Sequence, residues 1–354
     1  MPNTLSGLIT EKELLDFSQN FAVARNYTGS RYFPDRKTQY IKQEYTRLCA
    51  NGNLPQVAMV HAYDTEAHIA SRVPFERVSV EELLIKEKIN LTENVAKLTQ
   101  GMAMDMDSTR NYVFDDIARM AEMVVTRAEM AKVDAIAKGK AVIQENGLDF
   151  VVDYDVPDEN RVSGDWSDAT ADVLGDVNGW VDTAEKNGST PNIAITSKAI
   201  VQKIKANQTI QKAIFGTSGV GILPTMAQIN ALFFDQFGIT IVTDTDKYGV
   251  LKTNEKGEPY VEQRNFFPDE AFVVTATGAD GTLGTGLWGV TPEEREQGGA
   301  FDSKRQSQFV TVTTWDTPDP VATWTKASGL FVPVLPNPYG HVIATVTTAD
   351  DSEG

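Results

Sequence analysis

The chain has 354 residues, 41% of them hydrophobic, which is enough for one large domain or two ordinary ones with a substantial core. Its 32 Lys and Arg against 49 Asp and Glu give a formal net charge of −17, which excludes a general phosphate-binding surface but not a wall that encloses DNA without sticking to it. A single cysteine, Cys49, rules out an intrachain disulfide and suits a reducing compartment, residues 1–10 lack the basic and apolar blocks of a signal peptide, and no apolar run is long enough to span a membrane.

In chain order, Thr10 and Glu13 have the spacing of a capping box, with Ile9 and Leu14 placed to staple across it. This predicts a helix through Leu14, Leu15 and Phe17 to about Ala24. Residues 25–55 then form a locally basic arm, with Arg25, Arg31, Arg36, Lys37, Lys42 and Arg47 against Asp35 and Glu44. Two readings are open: an ordinary solvated segment, or an arm that reaches across the acidic surface of a neighbour. Residues 56–100 read as an extended excursion, with strands near 56–78 and 82–91 marked by Val73, Phe75, Val78 and Val80, then Leu83, Ile85, Ile89 and Leu91. A two-stranded ribbon is marginal alone, so it must pack on something else.

The strongest periodicity runs from Asp107 to Val142, where Val113, Ile117, Met120, Ala121, Val124, Ala128, Ala131 and Ala135 recur at steps of three and four without a proline, and Ser108 is placed to cap the start. Such a helix is about 50 Å long, a strut far beyond the usual globular length. No strict heptad supports a coiled coil. Residues 145–185 carry twelve acidic side chains against one basic, Arg161. An αβ pattern follows. Helices are predicted after Ser167, Ser197 and Thr225, the last closed by Gly238. Strands are predicted at Ile193–Ile195, Ile239–Val242 and Phe272–Thr277, with a hairpin over Val250–Arg264. Residues 309–346 are β again, which makes 150–300 an insertion between the long helix and the strands that pack on it.

No motif supports chemistry. Gly284–Gly289 fits G-x-G-x-x-G, but Trp288 fills the run and no opening βαβ unit surrounds it, so it reads as a glycine-rich loop. The run from Asp244 to Gly249, with Glu255 at the twelfth place, resembles a calcium loop. However, Tyr248 occupies a ligand position and the flanks read as strands, so a hairpin tip explains it better. His61, His68 and His341 show no metal spacing, Cys49 has no basic partner, and Gly216–Gly221 lacks the lysine of a P-loop. The expectation is a non-enzyme with no cofactor and no metal.

Several short segments carry a family resemblance through their order: Lys138-Gly139-Lys140 leading into Leu148–Asp153; Asn265-Phe266-Phe267-Pro268-Asp269 before Phe272-Val273-Val274; Trp315 with Asp319-Pro320; Ser328–Val334; and Ile343–Val346. Together they resemble the phage major capsid protein E family, the lambda type of the Hong Kong 97 phage capsid fold, over roughly residues 5–347. The resemblance implies an α+β fold with an N-terminal arm at 1–55, an extended loop at 56–100, a peripheral domain at 101–149 and 301–347 built on the spine helix, an axial domain at 150–300, and a tail at 348–354. It implies hexamers and pentamers closing an icosahedral virion head around double-stranded DNA, assembled in the bacterial cytoplasm. It also implies a portal, a protease, sometimes a decoration protein, and, with no additional helical segment ahead of the arm, a separate scaffolding protein.

Large flat contacts need apolar and charged groups on arms and loops, which makes Arg25, Arg31, Arg36, Val73, Phe75 and Val78 the candidate subunit-interface residues. Basic residues 25–47 and acidic residues 145–185 offer complementary charge between copies, so assembly should be salt-sensitive. The alternatives are a nanocompartment shell of the same fold and, from another class, a monomeric αβ ligand-binding protein.

Overall fold

The computed structural model describes residues 25–39, 42–48, 75–92, 106–145, 148–254, 256–296, 309–318 and 321–348. The expected helix at 10–24 and the first strand of the extended loop before Phe75 lie outside the described residues. The chain divides into two compact units. One comprises residues 1–43, 79–132 and 285–334, the other residues 44–78, 133–284 and 335–354.

In the first unit a short helix, α1 (Thr28–Tyr32), leads into β1 (Asp35–Lys37), which runs parallel to β13 (Thr285–Trp288), with Asp35 opposite Gly286. The long β15 (Val321–Val334) organises the sheet. One edge pairs antiparallel with β14 (Thr311–Pro318) and then with β13, and the other pairs with β4 (Leu83–Thr92) from Ala322↔Thr92 to Phe331↔Leu83. The predicted ribbon therefore does not pair within itself. β3 (Phe75–Glu81) pairs with β2 (Lys42–Leu48), while β4 joins β15. Only Glu82 separates β3 from β4, and a tight hairpin needs at least about two turn residues, so the two strands take different partners.

The long helix, α2, spans Met106–Lys138, 33 residues or about 50 Å. In the first unit its buried stripe of Ile117, Met120, Val124, Ala128 and Ala131 packs on Trp288, Ala327 and Phe331 of the sheet. Gly329 makes this approach possible. A Cβ there would lie 2.8 Å from both Val124 and Trp288. Burying each large side chain stabilises by roughly 1.5–3 kcal/mol, so the stripe anchors helix to sheet chiefly by apolar area. Gly139 ends the helix in the left-handed region, φ 63°, where a side chain would be strained. Gly284–Gly289 is not the expected loop. Its central residues form β13, because alternate positions Gly286 and Trp288 face a buried layer that needs one minimal and one large side chain.

The second unit holds a ribbon of β5 (Lys140–Glu145) and β6 (Leu148–Asp153) and a five-stranded sheet in the order β7 (Arg161–Asp165), β16 (Val342–Thr347), β12 (Ala271–Thr275), β8 (Ile193–Ser197), β9 (Thr240–Asp244). All five residues of central β12 are buried, as expected for a continuous apolar strand with neighbours on both faces. Helices α3 (Val173–Lys186), α4 (Lys198–Ala206), α5 (Gln208–Phe215) and α6 (Met226–Phe237) supply the rest of the core. Trp166, Trp180 and Phe272 pack within 5.6 Å of one another at its centre.

Local signals set these helices. Ser197 accepts from the Ile200 amide, Thr225 and Gln228 form a reciprocal capping box, and Gly238 closes α6 in the left-handed region. The first helix of the insertion departs from expectation. Ser167 does not cap it. Residues 167–171 turn through Asp165 and Asp168, and Asp172 caps α3 by accepting from the Gly175 amide at 3.0 Å. Much of the acidic tract is thus committed locally, with Asp176 also accepting from the Trp166 indole at 2.8 Å.

Candidate subunit-contact surfaces

The sheet of the first unit has two unlike faces, set by strand alternation. Leu83, Ile85, Val312, Ala327 and Phe331 point to α2. The opposite face carries Lys86, Lys88, Lys326, Trp315 and Trp324, which the register places side by side. The two tryptophans stack with centroids 6.3 Å apart. Lys88 sits 4.8 Å above the Trp324 ring and Lys326 5.7 Å above Trp315. Trp315 remains 40% exposed.

This face is anchored at one end by Glu293, at the start of a short helix, α7 (Pro292–Glu296), capped by Thr291. Glu293 binds Lys326 at 2.8 Å, Lys86 at 3.0 Å and the Ser328 hydroxyl at 3.2 Å. Burial alone would raise its pKa, but the hydrogen bonds from Lys326 and Lys86 outweigh it and hold the carboxyl at about 2. One ionised carboxylate thereby ties β4, β15 and α7 together at the end of the face away from the tryptophans.

The second unit exposes two apolar patches. β10 (Lys247–Thr253) and β11 (Pro259–Asn265) form a ribbon that, among the described residues, pairs with no other strand. One side is polar, where Glu262 binds Lys252 and Arg264. On the other, cross-strand partners Leu251 and Val261 are 73% and 66% exposed. The ribbon's base is held by Tyr248 against Phe266, 4.9 Å apart. The second is Val220, Ile222 and Leu223 after α5, with Leu223 65% exposed; on α6, Phe234 is 64% exposed as well. Exposed apolar side chains of this kind are candidates for association surfaces.

The residues singled out from sequence fall elsewhere. Arg25 lies 3.3 Å from Glu122 of its own chain, Arg31 stacks over the adjacent Tyr32 ring, and Arg36 is exposed on β1. Tyr27, Tyr32 and Phe33 are buried and fix this segment to the first unit, while Arg31 between them is exposed. Phe75 and Val78 lie on β3, and Val73 lies outside the described residues. The calcium-like run is not a hairpin tip. Asp244 ends β9 and accepts from the Asp246 amide at 2.7 Å, and the ribbon turns farther on, at residues 254–258. Sequence reading missed the Trp315–Trp324 pair, although both lie equally far from Asp319-Pro320 and so oppose each other in any hairpin turning there.

Among solved structures, the chain is similar to a protein assigned as the capsid protein of a prophage in E. coli CFT073, at 13% identity and TM-score 0.59, covering 96% of this chain and 99% of that one. It is also similar to a phage-related protein from Bordetella bronchiseptica RB50, at 10% identity and TM-score 0.55, covering 95% and 97%. The fold is the mixed α+β fold of the Hong Kong 97 capsid group, as the sequence resemblance implied. No curated protein sequence matches. The profile of the family described as phage major capsid protein E matches residues 12–346, nearly the whole chain. The protein is therefore a structural subunit of the phage virion head shell, and the chain belongs to the phage major capsid protein E family.

Proposed function

We propose that this capsid protein closes an icosahedral shell around double-stranded DNA as hexamers and pentamers, without acting on any external substrate. A separate scaffolding protein, a portal and, in some assemblies, a decoration protein complete its partners. In this reading the region at 150–300 meets its copies around the symmetry axes. The spine helix lies toward the periphery, and Arg25, Arg31, Arg36, Val73, Phe75 and Val78 contact neighbouring subunits.

One observation carries the reading. Among the described residues the β10–β11 ribbon pairs with no other strand, and it presents Leu251 and Val261 to solvent. A bare ribbon with an apolar side is unfavourable unless another surface covers it, and in a shell the covering surface is another copy. The test is a Leu251→Glu, Val261→Glu double variant followed by size-exclusion chromatography and circular dichroism. The expected result is a folded subunit near 38.8 kDa that no longer forms capsomers, while the wild type does. A variant that assembles like the wild type would contradict the assignment.

A further inference from the structure

We propose that Lys132 and Asp35 are joined by an intrachain amide bond, formed autocatalytically with Glu129 as the proton-transfer group. All three residues belong to the first unit. The Lys132 side chain is 0% exposed, and its Nζ lies 2.8 Å from Asp35 Oδ1 and 2.7 Å from Glu129 Oε1. Glu129 and Lys132 are three residues apart on α2 and so share one face of the helix. The Trp288 indole N–H donates to the same Asp35 Oδ1 at 2.9 Å, where it would polarise the carboxyl and stabilise charge developing on that oxygen. The Phe331 ring lies 5.5 Å from the ammonium and helps to exclude water.

The site has no spare room. At Gly286 a Cβ would fall 2.6 Å from Asp35 Oδ1 and 3.0 Å from Lys132 Cε, and at Gly29 it would fall 2.5 Å from Glu129 Oε2. These glycines let three chain segments close on one amine. Ser30 adds a hydroxyl that hydrogen-bonds Glu129 and accepts from Lys132 Nζ at 3.0 Å.

An ion pair alone is a poor account of this cluster. One ammonium faces two carboxyl groups, and Glu129 Oε2 is buried without a hydrogen-bond partner. Burial pushes the Glu129 carboxyl above the ordinary carboxylate range despite the pull of Lys132, so its protonated form is accessible. Buried ion pairs repay their desolvation poorly, and amide formation removes both charges from the site.

The step balances. Lys132 Nζ passes one proton to Glu129, and the neutral amine attacks Asp35 Cγ to form the C–N bond. One carboxyl oxygen then leaves as water, taking the proton back from Glu129 and a second proton from the nitrogen. Ammonium plus carboxylate become amide plus water, and no oxidant or cofactor is consumed. Such a bond would fix residues 25–39 covalently to the long helix.

The test is intact mass spectrometry of the full chain, purified folded and then denatured. The expected mass is one water, about 18 Da, below that of the sequence. Trypsin should release residues 32–36 joined to residues 128–138, with Lys132 uncleaved. Glu129→Gln and Lys132→Arg should each restore the full mass. An unmodified wild-type mass would overturn the proposal, as would loss of water mapped to Asp280-Gly281, where a succinimide gives the same change. Neither outcome depends on whether a variant folds.

Discussion

His341 should give the second unit a specific sensitivity to acid. Its imidazole is fully buried just ahead of β16. Nε2 lies 2.7 Å from the Ile136 carbonyl of α2, and a carbonyl only accepts, so Nε2 carries the proton and Nδ1 accepts from the Thr275 hydroxyl at 3.1 Å. Burial lowers its pKa from 6.5 to about 4. The Ile136 hydrogen bond opposes this, and Arg161 adds to it. Below pH 6.5 the unfolded chain takes a proton at this position and the folded chain does not, so stability falls as pH drops from 6.5 toward about 4, then levels off. At about 1.4 kcal/mol per pH unit, that interval amounts to about 3 kcal/mol. The assay is urea unfolding of unassembled subunits from about pH 7.5 to about pH 4, followed by tryptophan fluorescence. His341→Gln retains a donor for Ile136 but cannot titrate. It should cost about 1 kcal/mol at neutral pH and flatten this part of the pH profile. An unchanged slope in the variant would refute the reasoning, because other groups would then carry the acid response.

Further consequences are independent of that histidine. Gly329→Ala should destabilise the first unit by about 1–3 kcal/mol, seen as a lower melting temperature, because the new methyl has no space between Val124 and Trp288. Asp172→Ala should cost about 1 kcal/mol through the lost α3 cap, whereas Ser167→Ala should be near neutral; paired urea titrations distinguish the two. Assembly followed by light scattering should weaken as ionic strength rises from about 0.05 to 0.5 M, and indifference to salt would remove the electrostatic contribution between copies.

The parts of the fold set by local chemistry were legible in the sequence. α2 shows through an unbroken stripe with no proline, and the Ser197 and Thr225 caps and Gly238 fix their helices through neighbouring atoms. Pairing partners were less legible. β4 has the pattern of a ribbon strand, yet its partner is β15, more than two hundred residues away, and alternation does not name the partner. Ser167 and Asp172 are both good capping residues, and the turn through Asp165 and Asp168 decides between them. Among the candidate contact residues, basic charge drew attention to Arg25 and Arg31, which have partners within their own chain. The Leu251–Val261 pair looks in sequence like any alternating hairpin, and its exposure is seen only once the described residues are placed in three dimensions.

The proposed shell requires that apolar surface left open on one copy be closed by others. The most direct measurement is electron microscopy of the purified full chain, with its particle mass determined in the same solution. Closed shells or ring-shaped capsomers many times 38.8 kDa are the predicted result; a uniform population of single chains at that mass, across the salt range in which the protein stays folded, would contradict it.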